Sequence, residues 1–239
     1  DESSTVLEVA KAMAAKRLDN ALLTSASTGG LTGIMTDNDL TRRVVAAFKN
    51  DSATLASEVM TANPKCVASE DSAVDALQMM VSNHFRHLPV VDSAGAIVGV
   101  LDIAKCLFDV IHRMEKVAAK EGGGSQDDAA TAALGSALRS AVPGGQATSA
   151  QVVALQQLLG PLMKSMFGNA ASVPTLRSLL ESKKSAMPVV RSSVNVREAA
   201  QTMAQLRQGI LVTEDDALVG IFTPKDLLGR VVAKELPPD

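Results

Sequence analysis

Residues 33–46 read Gly33-Ile34-Met35-Thr36-Asp37-Asn38-Asp39-Leu40-Thr41-Arg42-Arg43-Val44-Val45-Ala46. Residues 220–233 read Gly220-Ile221-Phe222-Thr223-Pro224-Lys225-Asp226-Leu227-Leu228-Gly229-Arg230-Val231-Val232-Ala233. Gly, Ile, Thr, Asp, Leu, Arg, Val, Val and Ala coincide in register, which marks an internal repeat. Upstream of each glycine lies a short apolar run, Ala21-Leu22-Leu23 and Ile210-Leu211-Val212. Upstream again come Val6, Val9, Ala10 and Met13, matched by Val196, Ala199, Ala200 and Met203. Apolar residues at i, i+3, i+4 and i+7 form one face of a helix. A third copy sits between: Ala73, Ala76, Leu77, Met80, then Leu88-Pro89-Val90-Val91, then Gly99. Each unit reads helix, strand, turn, strand, helix. Amphipathic helices beside largely apolar strands predict strands buried under helices, an α+β class. One unit exposes a large apolar face, so units should pack in pairs.

The composition suits such a protein. Of 239 residues, 46% are apolar and 21% charged, with a net charge of −3. That excludes a disordered chain, which combines low hydrophobicity with high charge. The absence of a basic surplus argues against nucleic acid as partner. With five Phe, no Trp and no Tyr, little is available for stacking bases. No apolar run approaches the ~20 residues of a membrane span, so no membrane partner is expected, and residues 1–20 carry no signal-peptide pattern. Two cysteines and three histidines make neither a disulfide framework nor a metal site. An intracellular, cytoplasmic setting is the default.

Between the second and third copies, Gly122-Gly123-Gly124-Ser125-Gln126-Asp127-Asp128 reads as a flexible stretch. An Ala-rich helical stretch follows (residues 129–141), then a break at Pro143-Gly144-Gly145, then an apolar helix near 149–166 that Pro161 kinks. No Gly-Lys-Ser/Thr follows the glycines, so they form no phosphate loop. The expected divisions are 1–55, first repeat; 56–117, second repeat; 118–171, flexible and helical connector; 172–239, third repeat.

The Thr-x-x-Asp element admits two readings. Thr36 and Thr223 can cap a helix, with the acid three residues on completing a capping box. Pro224 suits a first helical position. Arg43 and Arg230, four residues after the acids, can pair with them along one helix face. The same geometry can serve a ligand. A helix N-terminus presents N–H groups to a phosphate, a Thr hydroxyl can donate to it, and a carboxylate one turn in can accept from two ribose hydroxyls.

The Gly-h-x-Thr-x-x-Asp-h element (h, apolar), in its helix–strand–strand order, resembles the cystathionine-β-synthase (CBS) domain. The match spans roughly 6–50, 56–117 and 172–235. The resemblance implies that Asp39 and Asp226 bind ribose and that Thr36 and Thr223 bind phosphate. It further implies that two repeats pair into a Bateman module with adenosyl ligands in its clefts. Phe85-Arg86-His87-Leu88-Pro89-Val90-Val91, Leu101-Asp102-Ile103-Ala104-Lys105-Cys106-Leu107 and Arg113-Met114-Glu115-Lys116 are similar to one eukaryotic subfamily with four CBS domains and usually a Phox/Bem-type domain. On that resemblance a fourth repeat should follow Asp239, a first strand should precede Val6, and the chain is a fragment.

The second copy departs from the pattern. Asp102 stands at the Thr position, Lys105 at the Asp position and Asp109 at the Arg position. The ribose carboxylate is gone; Asp102 as helix cap, with Lys105 paired to Asp109, is the expectation. In modules of this family, basic residues before the first core strand face phosphates, which makes Arg86 and His87 candidates beside solvent exposure for Arg86 and a satisfied edge position for His87. Buried packing is expected for Cys66 and Cys106, surface positions for His84 and His112, and core positions for Met79, Met80 and Met203.

No residue constellation suggests catalysis, so no enzyme activity, metal or required cofactor is expected. The expectation is a regulatory module for an adenosyl ligand (AMP, ADP, ATP or S-adenosylmethionine) at Thr36, Asp39, Arg43, Arg86, His87, Thr223, Asp226 and Arg230. A homodimer or higher oligomer through repeat pairing accompanies it. The first and second copies are expected to pair, leaving the third without a partner in this chain. The alternative is a ligand-free dimerisation scaffold.

Overall fold

In the first repeat, Thr5 opens α1 (Val6–Ala15) with a reciprocal cap: its hydroxyl accepts the Glu8 N–H, and the Glu8 carboxylate accepts the Thr5 N–H. The stripe Val6, Val9, Ala10 and Met13 is buried. Strands β1 (Asn20–Thr24) and β2 (Leu31–Thr36) pair antiparallel, with Leu22 opposite Ile34. A 3-10 turn (Ala56–Glu58) leads into β3 (Thr61–Ala62), which adds to β2 opposite Gly33 and Ile34. These are features of a computed structural model in which residues 1–109, 112, 177 and 188–239 are described. The connector expected at 118–171 lies outside them.

The second repeat has β4 (Val67–Ala68), α3 (Ala73–Asn83), β5 (His87–Val91) and β6 (Ile97–Asp102), with sheet order β4-β5-β6. Its small core gathers Val67, Ala76, Met80 and Leu88. Cys66 is exposed just ahead of β4, against the expectation of burial in a strand: the strand begins one residue later. The third repeat has β7 (Val189–Arg191), α4 (Val196–Leu206), β8 (Ile210–Glu214) and β9 (Ala217–Phe222). Asn195 caps α4 by accepting the Glu198 N–H at 2.8 Å.

Two compact units result. One comprises Asp1–Lys65, Ala94–Ile97 and Ser185–Asp239; the other comprises Cys66–Ser93 and Val98–Lys184. The first holds a finding that the repeat pattern did not give. Met13, Leu40 and Val44 of the first repeat share one hydrophobic core with Ala200, Met203, Leu227 and Leu228 of the third. The third repeat, expected to lack a partner within the chain, thus packs its helices against the first. Each helix pair shows an apolar stripe that water would otherwise cover, and burying both removes the cost. Lys11 and Glu235 form an ion pair between these repeats.

The second helices differ in kind from the expected α-helix. After one turn, α2 (Asp37–Asp39) and α5 (Pro224–Asp226), each continues as a π-helix, Leu40–Val45 and Leu227–Val231. The buried residues form doublets four apart: Leu40-Thr41 with Val44-Val45, and Leu227-Leu228 with Val231-Val232. In the first repeat both doublets lie within the π-helix, whereas in the third Val232 opens the 3-10 turn that follows it.

The outer sheet faces contrast. Pairing places Val189, Leu211 and Ile221 in one row across the third sheet. Ile221 is 58% exposed, whereas Ile34, its counterpart in the first repeat, is 8% exposed.

Candidate functional site

Each Thr-x-x-Asp element sits where a strand turns into a helix. Thr36 closes β2 in extended conformation and caps α2; Thr223 follows β9 and caps α5, with Pro224 in the first turn. The bonds repeat one for one. Thr36 N–H and Oγ1–H donate to Asp39 Oδ2 at 3.0 and 2.8 Å; Thr223 donates the same pair to Asp226 Oδ2 at 3.0 and 2.7 Å. In return each Thr oxygen accepts the Asp N–H, at 3.2 and 3.4 Å. Arg43 Nε lies 3.4 Å from Asp39 Oδ1, and Arg230 Nε lies 3.3 Å from Asp226 Oδ1. Each constellation Thr36–Asp39–Arg43 and Thr223–Asp226–Arg230 is therefore brought together as the spacing predicts.

Chemically, each carboxylate has one oxygen filled by its own cap and one turned to an arginine. A ligand hydroxyl would share the second oxygen, and an anion would meet the guanidinium. The two copies differ in access. Asp39 is buried and Arg43 half-exposed, held by the carbonyls of Val59 and Met60 at 2.8 and 2.6 Å. Asp226 is more open, and Arg230 is 77% exposed.

The second repeat uses its residues otherwise. Asp102 Oδ1 accepts the Ala104 N–H at 2.8 Å, so it caps the helix as expected. Its Oδ2 lies 3.4 Å from Arg86 Nη2 and 3.8 Å from His87 Nε2. Burial pushes the Asp102 carboxyl up, but the Ala104 N–H and the charges of Arg86 and His87 outweigh this and hold it below the usual carboxylate range. Arg86 and His87, the expected phosphate candidates, thus both lie beside the Asp102 carboxylate. Lys105 and Asp109 are both exposed and form no ion pair with each other, contrary to expectation; solvent leaves such a pair little to gain.

Cys106 is half-buried, and burial with the Asp102 and Asp109 charges pushes its thiol up. His84 and His112 are exposed, and Met80 and Met203 are core with Met79 partly buried against it. Sequence reasoning missed the Arg43 carbonyl contacts. It also missed Arg197, whose guanidinium lies 4.6 Å from the Phe48 ring and pairs with Asp239. Neither has a local signal, because the partners lie many residues away.

A family model described as CBS domain matches residues 56–116 and 175–233. The CBS domain-containing protein CBSCBSPB3 of Arabidopsis thaliana is 38% identical over the whole of this chain and 39% of its own length. The meiotically up-regulated gene 70 protein of Schizosaccharomyces pombe is 29% identical over 98% of this chain and 33% of its own length. The chain thus spans about two fifths or less of the length of these curated relatives. Among solved structures, a CBS domain protein of Pyrobaculum aerophilum complexed with AMP shows 29% identity and a TM-score of 0.42, covering 45% of this chain and 80% of that one. None of the helices among the described residues is long and apolar enough to cross a membrane.

Proposed function

The chain belongs to the CBS domain family, and from that premise we propose that it is a non-catalytic regulatory module that binds an adenosyl ligand. AMP, ADP, ATP and S-adenosylmethionine are the candidates. The observation that supports this most is the one-for-one repetition of the Thr–Asp–Arg constellation at Thr36, Asp39, Arg43 and at Thr223, Asp226, Arg230. In each, the Asp oxygen beside the arginine accepts ribose hydroxyls, and the guanidinium takes phosphate, joined by the Thr hydroxyl once its O–H turns away from the Asp Oδ2. Arg86 and His87 are the remaining candidates, and a phosphate there has to displace Asp102. The ligand acts by favouring one of two packings of the repeats, to the extent that it binds them unequally. The module also self-associates, its contact being the bare row Val189, Leu211 and Ile221. Thermal melts test the ligand part: a ligand at ~100 times its Kd stabilises the folded state by about 2.7 kcal/mol. An unchanged melting temperature with all four at millimolar concentration would reject it.

One observation favours a second reading, a ligand-free scaffold: each capping box already satisfies its own Thr and Asp. A concentration-dependent dimer with no melt shift is its signature.

A further inference from the structure

Arg43 touches two things at once. Its Nη1 donates to the carbonyl oxygens of Val59 and Met60, at 2.8 and 2.6 Å, while its Nε lies 3.4 Å from Asp39 Oδ1. Those carbonyls belong to the stretch between the 3-10 turn at Ala56–Glu58 and β3. That stretch opens the part of the sequence expected as the second repeat and leads on to Cys66. It is anchored elsewhere by backbone bonds, Ala56 N–H to Ser4 O at 2.8 Å and Asn63 N–H to Thr32 O at 2.9 Å. Arg43 Nη2 makes no hydrogen bond among the described residues, and the side chain is 41% exposed. Arg230 has the equivalent acid partner, Asp226, but holds no carbonyl of a following segment among the described residues.

A guanidinium is rigid and planar, so its donors cannot move independently. One edge of Arg43 holds the outgoing segment, one faces the site carboxylate, and Nη2 has no hydrogen-bond partner among the described residues. We infer that Arg43 couples the Thr36–Asp39 site to the segment 56–62, so that occupation of the site tightens that segment. This rests on the adenosyl-binding reading. A phosphate taking the Nη2 donors fixes the guanidinium plane, and with it the two carbonyl contacts. The ligand therefore favours the clamped state, and the clamp in turn raises the ligand's affinity. The Arg230 site lacks this second attachment, so the two sites differ in what they report as well as in access.

Hydrogen exchange at Ala56, Met60 and Asn63 reads the clamp, in the wild type, Arg43→Lys and Arg230→Lys, each with and without ATP. Calorimetry reports whether ATP is bound. A lysine ammonium keeps the charge but cannot bridge two carbonyls and a carboxylate in one plane. Without ATP, exchange at these amides is expected to be about tenfold faster in Arg43→Lys, the scale of one lost charged hydrogen bond. Arg230→Lys should leave it unchanged. ATP should slow exchange in the wild type and not in Arg43→Lys. Equal ligand-free exchange in the wild type and Arg43→Lys overturns the clamp. Bound ATP without added protection in the wild type overturns the coupling alone. Absence of binding heat from ATP, and from AMP, ADP and S-adenosylmethionine titrated in its place, refutes the adenosyl reading itself, and the coupling with it.

Discussion

The Met60 sulfur lies 2.1 Å from where a Cβ on Gly33 would stand, and the Met60 Cγ 2.8 Å from it, so the side chain of one covers the bare backbone of the other. Gly220, at the same place in the third repeat, has nothing within 4 Å of such a Cβ. Gly33→Ala is therefore expected to push the flexible, partly buried Met60 side chain aside and to destabilise the protein by about 1 kcal/mol, the low end of overpacking costs. Gly220→Ala should leave stability unchanged or raise it slightly. Denaturant midpoints of the two variants check the contrast, and Met60→Ala should relieve most of the Gly33→Ala penalty.

Asp102 gives the second repeat a pH dependence. Its carboxyl is held below the ordinary value in the folded state, so the folded protein binds fewer protons than the unfolded one in the window between the two values. The stabilisation is complete above about pH 4, the ordinary carboxylate value, and is lost as pH falls through the lower folded value. Exchange protection of the Ile103 and Ala104 amides across that window should fall in the wild type and stay flat in Asp102→Asn. Equal profiles would contradict the assignment.

The two thiols should react at different rates. Cys66 is exposed, while Cys106 is half-buried with its thiol pushed up. The thiolate is the nucleophile, so alkylation at neutral pH should modify Cys66 about tenfold faster or more. Peptide mapping over a time course separates them; faster labelling of Cys106 would be inconsistent with its surroundings.

Charge on the bare sheet face should keep copies apart. Ile221→Glu places a carboxylate in the row formed with Val189 and Leu211. Sedimentation should show a concentration-dependent larger species for the wild type and a smaller one for the variant, with little change in stability because Ile221 is 58% exposed. Identical sedimentation of the two would remove this face as the contact.

The repeat, its α+β class and the capping boxes were legible because each is written in local spacing. Val6, Val9, Ala10 and Met13 declare a helix face whatever covers it, and Thr36 with Asp39 declare a cap. The Leu40-Thr41 and Val44-Val45 doublets carried the π-helix signal, but a helical period of 3.6 also fits them, so the wider turn was not evident. What the spacing could not supply was partner choice. The core joining Met13 to Met203 unites residues 190 positions apart, and periodicity says that a face is apolar without saying what covers it. For the same reason the Arg43 carbonyl contacts and the Arg86–Asp102 pair were hidden. Arg86 pairs with a residue that the repeat pattern assigns to a cap, 16 positions away, and local spacing carries no signal for such a contact.

The most direct measurement is calorimetric titration of AMP, ADP, ATP and S-adenosylmethionine into the wild type, Asp39→Asn, Asp226→Asn and the double variant. Asparagine keeps the shape of the cap and removes the charge. Saturable heat for at least one ligand in the wild type is expected. The single variants should each weaken one component of the binding by about tenfold or more, and the double variant should abolish it. No heat from any of the four, or unchanged binding in the double variant, would contradict an adenosyl site at Asp39 and Asp226.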